Sequence, residues 1–244
     1  MRVCAIAAWL LLAAAQAQAD DSSAALKAGG LVLTRQADIR MAREDLFVSP
    51  KEVRVRYEFV NDAKAGVDTF DRMPAAARRK YAAQGIVEID GGDAHPHWIA
   101  RTRHWWRQRF PAGRTVAIAH RYQPVTGQFF FGESGLALKQ PGYARDYCMD
   151  AGTTAAVRAK VAKLGGNGPN GRYLLAYRTD FVLVTANNWK GPIGHFHLTL
   201  DKLKPDNVLS LCWDGGLKKT GATTFESVRD DFVPKRDIGL LVLQ

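Results

Sequence analysis

Apolar and polar residues alternate most clearly over 52–60. Val53, Val55, Tyr57 and Phe59 are interleaved with Glu52, Arg54, Arg56 and Glu58. A period of two buries one face of a strand and solvates the other. Short apolar runs at 29–34 and 46–49, the second ended by Pro50, predict two more strands. Residues 98–110 read as one long strand, with Trp98, Ala100, Thr102, His104, Trp106 and Phe110 on one face. Arg101, Arg103, Trp105, Arg107 and Arg109 fall on the other. Pro111-Ala112-Gly113 turns the chain and 114–122 runs back, which predicts an antiparallel hairpin with a three-residue loop. Further strands are predicted over 128–131, 173–185, 193–200, 208–213, 223–228 and 237–243.

Two segments read as short helices. The first covers 74–84, opened by Pro74, rich in alanine and stopped by Gly85. The second covers 151–164, where Asp150 or Thr153 can cap the start and Gly165-Gly166 ends it. Turn signals recur roughly every 8–12 residues, without strand–helix alternation. The predicted fold is therefore mainly β, antiparallel and sandwich-like, with these two helices, in one domain over 20–244.

Residues 1–19 change what the rest means. Arg2, an apolar stretch from Val3 to Ala15 and Ala17-Gln18-Ala19 form a signal-peptide pattern, with cleavage expected after Ala19. The apolar stretch is short for a membrane anchor, and no later segment has the ~20 apolar residues of a spanning helix. A periplasmic or secreted protein is expected. The chain has 244 residues, 47% of them hydrophobic, which excludes bulk disorder. Its formal net charge is +10, and +9 once Arg2 leaves with the leader. Export makes nucleic acid an unsuitable partner for that charge. Only Cys148 and Cys212 remain after cleavage. In an oxidising compartment their simplest state is one disulfide, closing a loop of about 64 residues and contributing roughly 4 kcal/mol. Two free buried thiols are the alternative.

Several short motifs occur together and in order. Gly29-Gly30-Leu31-Val32-Leu33-Thr34 precedes Glu44-Asp45-Leu46-Phe47-Val48-Ser49-Pro50 and Glu52-Val53-Arg54-Val55-Arg56-Tyr57. Phe110-Pro111-Ala112-Gly113, His120-Arg121-Tyr122 and Tyr147-Cys148 follow. Asn188-Trp189-Lys190-Gly191-Pro192-Ile193-Gly194, Lys204-Pro205-Asp206-Asn207 and Phe232-Val233-Pro234-Lys235-Arg236-Asp237-Ile238 complete the series. In this the chain resembles the DUF4424 family, exported bacterial proteins of unknown function, over nearly its whole mature length. The resemblance implies no catalytic residue, and it supports a structural role for Cys148 and Cys212. Family members carry a longer segment between the strand around Tyr57 and the helix near Pro74, where this chain has only Asn61 to Met73.

Candidate chemistry lies in three places. His195-Phe196-His197 sits in a predicted strand, so both imidazoles share a face, a spacing used by metal sites with a third ligand from His120 or His104. A hydrogen-bonded or solvated strand face is the competing reading. His95-Pro96-His97 repeats the spacing in a loop. Arg101, Arg103, Arg107 and Arg109, with Trp105 among them, form a basic strip for an anionic envelope glycan or lipid headgroups. A charged, solvated sheet face is the alternative there. Trp189 is expected at the surface from its turn context. Nucleophile-elbow, zinc-protease-helix and phosphate-loop motifs do not occur. Asp90, Asp93, Asp230 and Asp231 are acidic loop pairs of a type that glycoside cleavage uses, and that any surface also carries. The expected function is a non-enzymatic binding or structural envelope module, with no cofactor. The alternative is a hydrolase of cell-envelope polymers, possible with metal assistance from His195 and His197.

Overall fold

The computed structural model of the chain describes residues 36–73, 86–89, 92–93, 97–99, 103–124, 126–136, 142–164 and 173–244. The leader, the strand at 29–34, the helix over 74–84 and Arg101 lie outside these residues. The described strands are β1 (Ile39–Val48), β2 (Val53–Asn61), β3 (Val67–Met73), β4 (Ile86–Ile89), β5 (Gly92–Asp93), β6 (His97–Ile99), β7 (Arg103–Phe110) and β8 (Thr115–Tyr122). They continue as β9 (Gly127–Phe131), β10 (Leu174–Phe181), β11 (Ile193–Asp201), β12 (Val208–Ser210), β13 (Lys218–Lys219), β14 (Thr224–Phe232) and β15 (Ile238–Leu243). The α-helices among the described residues are α1 (Tyr143–Asp146) and α2 (Ala151–Lys163).

Three sheets form. The largest runs β13-β14-β11-β1-β2-β8-β4-β5, the second β12-β15-β10-β9 and the third β3-β7-β6. The alternation read from 53–59 places Val53, Val55, Tyr57 and Phe59 inward, beside Leu46, Ile118, Phe196 and Leu198 from neighbouring strands. Phe181, Ile238, Leu240 and Val242 of the second sheet pack into the same core. The other face of that sheet offers Leu174, Ala176, Leu241 and Leu243 to Val157 and Val161 of α2. Because β15 is covered on both faces, its sequence is an apolar run rather than an alternation. The Asp150 carboxylate accepts a hydrogen bond from the Thr153 N–H at 2.6 Å and caps α2. Cys148, just before α2, is disulfide-bonded to Cys212, just after β12, with Cα atoms 4.9 Å apart.

Two sequence expectations fail for identifiable reasons. The long strand over 98–110 is two strands, β6 and β7, paired antiparallel with Trp98 opposite His104. Strand-forming Trp, Arg and Thr residues carry no turn signal there. The hairpin between 98–110 and 114–122 does not form, because the turn at 111–113 joins strands of different sheets. β7 pairs with β3, while β8 pairs with β2. Asn61, fully buried, holds this corner: its side-chain amide donates to the Phe110 carbonyl at 2.8 Å and to the Ala65 carbonyl at 2.9 Å. Gly113 N–H donates to the Asn61 carbonyl at 2.9 Å. Strands that bend from one sheet into another need such a junction for their freed backbone groups.

The large sheet is not wholly antiparallel. β1 and β11 pair in parallel at its centre, aligning Arg43 with His195, Asp45 with His197 and Phe47 with Thr199. A β-bulge between Met41 and Arg43 resets the parity of β1. Arg43, Asp45 and Phe47 therefore share the outward side, and Glu44, Leu46 and Val48 the inward one. Gly194 permits the approach, since a Cβ there would lie 2.7 Å from the Ala42 carbonyl oxygen.

Candidate functional site

The outward face of the large sheet is a grid of charged residues. One row crosses β14, β11, β1, β2 and β8 as Asp230, His195, Arg43, Glu58 and Ala117. The next contains His197, Asp45, Arg56 and Ala119, and the third Glu226, Thr199, Phe47, Arg54 and Arg121. Alternation puts these side chains on one side of the sheet, and the parallel β1–β11 pair joins the two halves of the chain within it.

A hollow of about 330 Å³ lies in this face, lined by Asp45, Phe47, Arg54, Arg56, Ala119, Arg121, His197 and Thr199 among others. Ala119 leaves space where its neighbours are long. The Arg54 guanidinium lies 4.2 Å from the Phe47 ring centroid. Glu52 is shared between Arg54, at 3.5 Å, and Arg121. Two guanidiniums thus divide one carboxylate. Arg56 meets Glu58 at 3.5 Å, and Arg43 donates two hydrogen bonds to Asp45, at 2.6 and 2.8 Å. Exposed ion pairs contribute about 0–1 kcal/mol, so these arginines can exchange partners at little cost. The hollow's own lining holds three guanidiniums and one carboxylate, and it suits an anionic group.

His197 lines the hollow, and His195 lies on the same outward face of β11. His195 Nδ1 lies 2.7 Å from Asp230 Oδ1. His197 Nε2 lies 3.3 Å from Glu226 Oε2, and its Nδ1 lies 3.8 Å from Asp45 Oδ1. These carboxylates are at the surface; Asp230 is 76% exposed. His120 cannot join them, because it lies on the inward face of β8 and is buried. Among the described residues no three His, Cys, Asp or Glu side chains are grouped to hold a metal ion.

On the inward face, Glu44 and Tyr57 are paired across β1 and β2, and the His120 ring meets the Tyr57 ring edge-on at 5.9 Å. Burial, followed by the Asp45 charge, pushes the Glu44 carboxyl up to about 8, and burial pushes His120 down to about 4. Glu44 is 1% exposed, and its Oε2 has no hydrogen-bond partner among the described residues. Both groups are buried in the core, and His120 also lies against the floor of the hollow.

The predicted basic strip is only partly described. Arg103, Trp105 and Arg107 occupy alternate positions of β7 by backbone register, opposite Met73, Arg72 and Phe70 in the case of His104, Trp105 and Arg107. Arg109 is exposed, and its Nη1 lies 3.7 Å from Asp68 Oδ2. Trp189 is not at the surface. It is 4% exposed and packs on Phe59 and Phe110, with ring centroids 4.4 and 6.1 Å away. Its large apolar area closes one end of the core and outweighs the turn that follows it. Arg54, Arg56, Arg121 and Phe47 were not singled out by sequence reasoning. Arg54 and Arg56 are outward positions of β2 that read as an ordinary solvated face, and Phe47 of β1 and Arg121 of β8 join them only through strand pairing.

The family model for the domain of unknown function DUF4424 matches residues 19–75 and 64–241. The chain belongs to the DUF4424 family. No curated protein matches this DUF4424 chain in sequence. Among solved structures, it is similar to a "putative nutrient binding protein" from Legionella pneumophila subsp. pneumophila str. Philadelphia 1. That likeness has 15% identity and a TM-score of 0.56, over 88% of this chain and 70% of the other. At that identity it shows a shared fold. An M1 zinc metallopeptidase from Deinococcus radiodurans is 10% identical with a TM-score of 0.35, over 86% of this chain and 43% of its own. Native yeast LTA4 hydrolase is 11% identical with a TM-score of 0.38, over 85% and 29%. Those two likenesses carry no argument about the function of this DUF4424 protein.

Proposed function

We propose that this DUF4424 protein is an exported, non-enzymatic binding module. It holds an anionic group of an envelope glycan or of a lipid headgroup in the hollow on the outward face of its large sheet. The carrying observation is the hollow itself, where Arg54, Arg56 and Arg121 surround space left by Ala119. Its volume of about 330 Å³ is at the small end of the roughly 300–1,000 Å³ range of ligand sites. Guanidinium groups match carboxylate and phosphate in shape as well as charge. The leader pattern at 1–19 and the Cys148–Cys212 bridge support export. The binding role named for the Legionella structure of similar fold is in keeping with a binding module. Arg101, Arg103, Trp105, Arg107 and Arg109 form a second basic stretch within the same reading.

The test measures binding of the mature chain to polygalacturonate, a carboxylated glycan, and to vesicles of equimolar phosphatidylglycerol and phosphatidylcholine. Each is measured at low and high salt, and with Arg54→Gln/Arg56→Gln. Charge-assisted hydrogen bonds contribute about 1.5–3 kcal/mol each, so the double variant is expected to bind at least about tenfold more weakly. High salt weakens the wild type by screening. The arm that binds identifies the source of the anion. Failure to bind either probe, or equal binding by the variant, overturns the proposal.

A further inference from the structure

A second basic notch lies away from the hollow, where β14 ends. It measures about 90 Å³ and is lined by Trp213, Asp214, Gly215, Arg229, Phe232 and Lys235, among others. Trp213 and Phe232 pack against each other at 5.7 Å and against Phe196 of the core at 5.9 and 4.9 Å, which makes the walls firm. The Trp213 indole N–H donates to Ser227 Oγ at 3.0 Å and is thereby committed.

Arg229 and Lys235 are not committed in this way. The Arg229 guanidinium carbon lies 5.4 Å from the Phe232 ring centroid. Gly215 lets the guanidinium lie against the backbone, since a Cβ there would be 2.7 Å from Arg229 Nη1. Arg236 meets Asp214 at 3.6 Å. Among the described residues neither Arg229 nor Lys235 has a carboxylate partner. Three cations therefore face one carboxylate, and the most enclosed of them is held by aromatic contact and a glycine rather than by a counter-ion. A guanidinium placed in this way keeps its paired N–H donors free for an oxyanion.

We propose that this notch is a second ligand site, which binds one oxyanion, phosphate or carboxylate, through Arg229 and Lys235. The volume sets the class. At about 90 Å³ the notch has room for a single small anionic group. The hollow on the sheet face is several times larger. This inference does not depend on the reading of the hollow, and its test keeps the two apart.

Tryptophan fluorescence of the mature chain is followed during titration with inorganic phosphate, and separately with acetate, at constant ionic strength set by sodium chloride. A saturable change is expected with at least one of them. It is expected to disappear in Trp213→Phe and to shift at least about tenfold in Arg229→Gln. Lys235→Gln, at an exposed position, is expected to shift it about threefold and serves if Arg229→Gln does not fold. Arg54→Gln/Arg56→Gln is expected to leave the titration unchanged. No saturable change with either anion, or the same half-saturation in the wild type and both notch variants, overturns the proposal.

Discussion

Glu44 and His120 sit on the same inward face and respond to pH in opposite directions. Burial holds the Glu44 carboxyl near 8 instead of 4.5, so the folded chain keeps a proton that the unfolded chain loses above 4.5. Stability from this group falls as pH rises between those values. Burial holds His120 near 4 instead of 6.5, so the unfolded chain takes up a proton that the folded chain refuses. Stability from this group falls as pH drops from 6.5 towards 4. The two together favour the fold most between about pH 4.5 and 6.5. Glu44→Gln is expected to raise the urea midpoint at pH 8, with the gain shrinking towards pH 4.5. An equal gain at both pH values would contradict this account of Glu44. The sequence does not announce a buried Glu44, because the bulge at Met41/Arg43 decides which of Arg43, Glu44 and Asp45 turns inward.

At the scale of elements, legibility followed how local each cause is. The strand over 53–59 is readable because every second side chain is buried. Helix α2 is readable from Asp150 and its alanines, and the structure shows the Asp150 cap. The break between β6 and β7 and the corner at Asn61 are not readable in the same way. They depend on which sheet a strand joins, which is a tertiary choice. The parallel β1–β11 pair is equally remote, joining residues about 150 positions apart in sequence, a separation of the kind that local pattern cannot report. The disulfide crosses a shorter but still non-local separation, and an expected export together with a count of two cysteines makes it legible. It ties the start of α2 to the segment after β12 across a separation of 64 residues. The double variant Cys148→Ser/Cys212→Ser is expected to lose roughly 4 kcal/mol of stability, seen as a lower urea midpoint. An unchanged midpoint, or two free thiols in the oxidised protein, would contradict the structural role of the bridge.

Over the whole molecule, one sheet separates two kinds of chemistry. Its inward side forms the core with the second sheet, and α2 covers the far side of that second sheet. Its outward side carries arginines, carboxylates and His195 and His197 in register. The arginines that line the hollow are brought together on a face that no single segment reveals, since β1, β2, β8 and β11 each supply only a few of its residues. The hollow in that face carries the functional claim. Ala119→Leu tests it most directly, because it fills the space without altering any charge. Polygalacturonate and vesicle binding should fall at least about tenfold while circular dichroism and the net charge stay as in the wild type. Undiminished binding by a folded Ala119→Leu protein would show that the charge of the face acts diffusely, and would contradict a ligand seated in the hollow.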